Sequence, residues 1–204
     1  MPPFSAIDLR GVGDLHIMQG DAAPVRIEAD EETLNELTTE VTGDRLVIRL
    51  DPWKAFRLWG SSRRADFYIT LPGLTGVTVS GVGSVDLPSY SAHRLEFAVN
   101  GSGNVRANIG VNELKVTVAG SGDCAMTGIA HKQEVRITGA GTYIATGLQS
   151  EEASVSIGGA GKAKLQVSET LDVSIGGAGT VSYAGTPRVT QRIGGFGKVE
   201  QITE

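Results

Sequence analysis

The chain has 204 residues, 40% of them hydrophobic, which is enough for one elongated domain or a domain with a large insertion. A net charge of −5 without any long basic run argues against a nucleic-acid role, because phosphate binding needs a positive footprint. The single cysteine, Cys124, excludes an intrachain disulfide framework, and no segment approaches the ~20 apolar residues of a membrane span.

Residues 1–14 contain no charged stretch followed by an apolar run, so no signal peptide is legible and the compartment is left open. A Gly-x-Gly unit follows at once. Gly11-Val12-Gly13 has Ile7 and Leu9 four and two residues before its first glycine, and Leu15 and Ile17 four and six after it. Alternation on both sides of a tight glycine turn predicts strand, turn, strand over 7–17, a first rung. The next unit begins only at Gly81. Between them, strands are predicted at 25–29, 45–50 and 66–71. Residues 30–37 read as a short helix or turn with Asp30 as N-cap, and Thr42-Gly43-Asp44 as a turn between strands. These strands are either degenerate rungs or a separate cap.

Residues 51–64 break the pattern. They hold both tryptophans, Trp53 and Trp59, together with Phe56 and the basic residues Lys54, Arg57, Arg63 and Arg64. Aromatic and arginine side chains are the usual anchors of binding patches. Trp53, Phe56, Arg57, Trp59, Arg63 and Arg64 are therefore the candidate contact residues for a cell-surface glycan or protein. The plainer alternative is that the rings cover the open end of a solenoid; a membrane-surface contact is a third reading.

From Gly81 onward the units recur: Gly81-Val82-Gly83, Gly101-Ser102-Gly103, Gly120-Ser121-Gly122, Gly139-Ala140-Gly141, Gly159-Ala160-Gly161, Gly177-Ala178-Gly179 and Gly195-Phe196-Gly197. Their first glycines are 20, 19, 19, 20, 18 and 18 residues apart, a solenoid period. Apolar pairs hold the same offsets, for example Val77/Val79 and Val116/Val118 before the turn, Val105/Ala107 and Cys124/Met126 after it. A lone hairpin is marginal in water. Stacked copies pair each strand with its equivalent in the next rung, so the fold class is an all-β parallel β-helix with Gly-x-Gly turns. The turn requires glycine either for positive φ or for close backbone approach. Residues 77–204 form the regular repeats, and residues 1–76 form the first rung and a β-rich cap or insertion. At the last rung Gln191 and Gln201 replace apolar residues, which suggests a closing solenoid with an exposed edge that could pair with a second copy.

The opening Gly11-Val12-Gly13-Asp14-Leu15-His16-Ile17-Met18-Gln19-Gly20, the Leu46-Val47-Ile48 strand and the Gly-Ser-Gly and Gly-Ala-Gly turns from Gly101 resemble the bacterial auto-transporter adhesin head (GIN) domains, over essentially the whole chain. The resemblance implies a right-handed β-helix related in shape to pectin lyases, with no recognised catalytic set and a role in adhesion. It also implies a periplasmic, cell-surface or extracellular protein.

Other chemistries lack their residues. No unit carries the third glycine and following helix of a dinucleotide fingerprint, and Gly161-Lys162-Ala163 and Gly197-Lys198-Val199 lack the P-loop hydroxyl. The calcium β-roll repeat needs a carboxylate where Ala163 and Val181 stand. His16, His93 and His131 have no metal-ligand spacing to one another or to Cys124, and Cys124 falls in an inward column as a buried thiol. The mid-strand column Asp86, Arg106, Ala125, Ile144, Lys164, Ser182, Glu200 has acids only at its ends, too far apart to share acid–base work. The reading is a non-catalytic adhesion or binding module without cofactor or metal. A self-assembling structural solenoid and a carbohydrate-active enzyme on a β-helix scaffold are the alternatives.

Overall fold

A computed structural model describes residues 2–50 and 64–203. It is a β-solenoid of stacked parallel coils of about 19 residues. Each regular coil has a strand before a glycine turn, a strand after it, and a second corner opposite.

The regular part consists of β7 (Gly76–Val79), β8 (Val82–Val99), β9 (Ser102–Val118), β10 (Asp123–Ile137), β11 (Thr142–Ile157), β12 (Ala160–Ile175), β13 (Ala178–Ala184), β14 (Arg188–Ile193) and β15 (Phe196–Gln201). β8 to β12 run through the second corner without a break. Pairing between coils is parallel and places equivalent residues over one another. Before the turn, Val77, Phe97, Val116, Val135, Val155, Val173 and Gln191 form one column. After it, Val85, Val105, Cys124, Tyr143, Ala163, Val181 and Val199 form another. The residues from Val77 to Val173 and from Val85 to Val181 are buried, and each large apolar side chain so removed from water contributes about 1.5–3 kcal/mol. No coil could bury these faces alone, which is why the repeat exists.

The outer face carries alternating charge along the stack. Arg94, Glu113, Lys132 and Glu152 lie in register on β8 to β11. Arg94 pairs with Glu113 at 3.3 Å and Lys132 with Glu152 at 3.4 Å. A neighbouring column sets Lys115 2.9 Å from Glu96.

The glycines are explained by close approach and not by positive φ. Positive φ occurs at Gly43, Gly128 and Gly185, none of them in a Gly-x-Gly unit. At the turns the backbones of successive coils touch. A Cβ on Gly81 would lie 1.8 Å from the carbonyl oxygen of Gly11, and one on Gly120 would lie 1.9 Å from that of Gly101. The same corner carries a backbone ladder, with Ser102 N–H donating to Gly81 O at 2.9 Å and Ser121 N–H to Gly101 O at 3.0 Å.

The N-terminal part corrects the expected order of coils. β1 (Ala6–Arg10) and β2 (Asp14–Gln19) flank Gly11 and Gly13 as predicted. β5 (Arg45–Leu50) and β6 (Asp66–Leu71) form another coil, β5 parallel to β1 and β6 parallel to β2. On their other sides β1 pairs with β7 and β2 with β8. The first coil in sequence is thus second in the stack, and residues 72–75 step over it. Beyond β5 and β6 the stack ends in two antiparallel strands. β4 (Leu37–Thr42), which the sequence reading missed, pairs with β5, and β3 (Arg26–Glu28) pairs with β6. Helix α1 (Glu31–Glu36) joins them, with Asp30 as its N-cap accepting from Thr33 N–H at 2.8 Å. Residues 18–76 therefore supply both a coil and an antiparallel cap. At the opposite end β14 and β15 have paired neighbours on one side only, and Gln191 and Gln201 are exposed.

Candidate functional site

The coil formed by β5 and β6 differs from the rest: residues 51–63 stand where the others have Gly-x-Gly. Trp53, Phe56, Arg57, Trp59 and Arg63 lie outside the described residues. The two ends of the segment are fixed. Leu50 is buried against the first glycine turn, where a Cβ on Gly11 would come 2.8 Å from that of Leu50. At the other end Ala65 is buried and Arg64 is exposed, its Nη1 donating to Asp14 Oδ2 at 3.3 Å. Asp14 Oδ1 accepts from both the backbone N–H and the hydroxyl of Ser84, at 2.8 and 2.6 Å. One carboxylate thus ties three successive coils together beside the segment.

The adjoining outer face is polar and aromatic. His16 stacks on Tyr68 with ring centroids 4.8 Å apart, and its Nε2 lies 2.9 Å from Asp66 Oδ1. The Arg26 guanidinium sits 4.0 Å over the Tyr68 ring, a cation–π contact, and also pairs with Glu28 at 2.6 Å. Partial burial, with Glu28 and Asp66 nearby, raises the Tyr68 phenol above its usual range. Met18 is exposed at the end of β2. His16 lies on the strand predicted after the first glycine turn, and the pairing of β2 with β6 gives it a carboxylate partner that the sequence reading did not name. The period-2 alternation of β2 and β6 contained the signal, because it points His16 and Asp66 to one face once the two strands are paired.

Several glutamates are ion-paired. Glu28, Glu40, Glu96, Glu113, Glu151, Glu152 and Glu200 each face a cationic or histidine partner. Among the described residues no group of three or more His, Cys, Asp or Glu is placed to hold a metal ion. Cys124 lies in the core between Val105 and Tyr143, as the inward column predicted. Burial, with Asp123 adding to it, pushes its thiol up to about 12, the opposite of an activated nucleophile. His131 pairs with Glu151 at 3.1 Å on the second corner, far from the other histidines in sequence.

A family described as "putative auto-transporter adhesin, head GIN domain" matches residues 3–187. The chain belongs to this family. Solved structures show the same fold. A "putative adhesin" from Bacteroides fragilis superposes with a TM-score of 0.88 at 23% identity, covering 98% of this chain and 93% of that one. A "putative lipid binding protein" from Parabacteroides distasonis gives 0.74 at 22% identity, with 98% and 93% covered. A "putative adhesin" from the same species gives 0.70 at 20% identity, with 99% and 94% covered. Curated proteins give no match. The family and these neighbours carry the names of adhesins or binding proteins, while identities this low speak for fold alone. Among the described residues no helix is long and apolar enough to cross a membrane.

Proposed function

We propose that this GIN-family chain is a non-catalytic, envelope-associated or surface-exposed adhesion module that holds a glycan or protein partner at residues 51–64. The observation that carries this reading is the replacement of one glycine turn by a segment rich in Trp and Arg. That segment is anchored by buried Leu50 at one end and by the Arg64–Asp14–Ser84 clasp at the other. The ion-paired carboxylates favour this over a carbohydrate-active enzyme.

The test is a glycan and matrix-protein binding screen with the wild type and a Trp53→Ala/Trp59→Ala variant of equal fold and stability. Binding by the wild type alone supports the reading. Equal binding by both, or none by the folded wild type, removes residues 51–64 as the contact.

One observation favours a second reading, assembly through the open end. The cap of β3 and β4 closes the first end to parallel pairing, whereas the last coil exposes Ile193 and leaves Phe196 91% exposed. Assembly through this end would be tail to tail and would stop at a two-fold dimer. Light scattering of the wild type against Ile193→Lys/Phe196→Ser reads it directly: a dimer that becomes a monomer supports it, and a monomeric wild type rejects it.

A further inference from the structure

The spacing of the glycine turns is not constant, and the shortening leaves a groove. The coil from Gly139 to Gly159 spans 20 residues and the next, from Gly159 to Gly177, spans 18. The glycine turns and inward columns stay in register, so the difference is taken up at the second corner. There β11 bulges. Ala145 pairs with Leu165 and Gln149 with Gln166, leaving residues 146–148 without counterparts in β12, and a second shift follows between Ser150 and Glu152. Bulges re-aim side chains and recur beside functional sites. Next to the ledge lies a groove of about 360 Å³. That volume is within the ~300–1,000 Å³ range of small-ligand sites.

The groove is lined by Ile129, His131, Gln149, Glu151, Gln166 and Thr186, among others. Its ledge is wired to the core. Ser150, buried between exposed Gln149 and Glu151, donates to Gln166 O at 2.7 Å and accepts from Gln133 Nε2 at 2.5 Å. Gln133 has no solvent exposure and accepts from the Tyr143 hydroxyl at 2.8 Å. A glutamine has no packing advantage in a column otherwise made of Leu95, Leu114, Ala153 and Leu171. What it does is fix the residue that carries Gln149 and Glu151. Sites held to a definite geometry are supported in this way by a locked outer layer of hydrogen bonds.

We propose that this groove is a binding site for a neutral sugar residue, separate from the surface at residues 51–64. The lining mixes donors and acceptors as sugar hydroxyls require: two side-chain amides, a threonine hydroxyl, a carboxylate and an imidazole. His131 Nδ1 and Glu151 Oε1 engage each other at 3.1 Å, leaving His131 Nε2 and Glu151 Oε2 for a ligand. Ile129, 52% exposed, offers an apolar surface to the C–H face of a sugar ring. A divalent cation would need several hard oxygen ligands and finds one carboxylate in this lining, and a phosphate would need more positive charge than one histidine. An extended peptide cannot add as a strand, because β11 is paired on both sides.

The test is amide chemical-shift titration of the whole chain with the methyl glycosides of glucose, galactose, mannose, fucose and N-acetylglucosamine and their disaccharides. The expected result is saturable shifts at Ile129, Gln149, Gln166 and Gly185 with at least one probe. Glu151→Gln and Gln149→Ala should each raise its Kd about tenfold, the worth of a hydrogen bond to a charged or buried partner. Gln133→Leu, which does not line the groove and reaches its ledge through Ser150, should weaken binding, while those two variants keep the wild-type Tm. Trp53→Ala/Trp59→Ala should leave it unchanged, which separates this site from the other. The proposal falls if no probe shifts these amides, if the shifts map elsewhere, or if Glu151→Gln and Gln149→Ala bind as the wild type does.

Discussion

The hydroxyl of Tyr143 donates a 2.8 Å hydrogen bond to Oε1 of Gln133 across the interior of a single coil, joining the strand after the glycine turn to the strand before it. Both side chains are fully buried. Removing one partner leaves a buried polar atom unsatisfied, which costs more than the bond itself contributes. Tyr143→Phe should therefore destabilise by about 1–3 kcal/mol. Gln133→Leu/Tyr143→Phe should lose less than the two single variants combined, because Leu fits beside Leu114 and no orphaned group remains at Tyr143. Urea unfolding of the four proteins in the cycle measures the coupling, and strict additivity would contradict it.

The turn glycines make an asymmetric prediction. Gly120→Ala drives a methyl group into the Gly101 carbonyl, with a 1.9 Å approach that only backbone movement relieves. It should cost about 3 kcal/mol or more, the upper end for overpacking. Gly176→Ala, with nothing within 4 Å of the added carbon, should change stability by less than about 0.5 kcal/mol. Thermal unfolding of the pair distinguishes close approach from a general intolerance of alanine.

Cys124 gives the pH dependence. Its folded pKa, about 12, lies above the ordinary 9.0, so between these values the folded chain keeps a proton that the unfolded chain releases. Its contribution is complete below pH 9 and declines as pH rises toward 12. The slope approaches about 1.4 kcal/mol per pH unit. Wild type minus Cys124→Ala, followed from pH 8 to 11 (a range of about three units), should show this decline. The thiol should stay unreactive toward a disulfide reagent at neutral pH until the chain is unfolded.

The charge ladder predicts a small, salt-sensitive effect. Glu113→Lys sets three cations in register with Arg94 and Lys132 on either side. The loss should be about 0.5–1 kcal/mol at low ionic strength and shrink in 1 M salt, where the Debye length is about 3 Å. A loss independent of salt would point to packing.

Much of the fold was legible because the solenoid repeats its physics every coil. The offsets of Val116/Val118 and Cys124/Met126 from their glycines placed the inward columns, and the register of β8 to β15 follows them. The strands predicted at 45–50 and 66–71 match the limits of β5 and β6, and Asp30 was read correctly as the N-cap of α1. β4 escaped notice because Leu37-Thr38-Thr39-Glu40 follows the helical stretch with no turn residue between. The charge ladder was present in the sequence, with opposite signs at 94, 113, 132 and 152, but becomes visible only when the coils are laid over one another.

By itself the sequence determined the period, the inward faces and the need for a residue without a side chain at the turns of the regular coils, since these depend on neighbours in the same coil or on its copies. Tertiary structure alone decided the rest. Nothing in β1 or β2 distinguishes β5 and β6 from β7 and β8 as neighbours. The observed order needs residues 72–75 to step over the β1–β2 coil, and their extended reach of about 13 Å is enough to cross the ~9.6 Å of two coil steps. Likewise the 20- and 18-residue spacings record that residues are gained and lost. Only the rigid register of the glycine corner forces that difference to the opposite corner, where it raises the Gln149–Glu151 ledge and opens the groove.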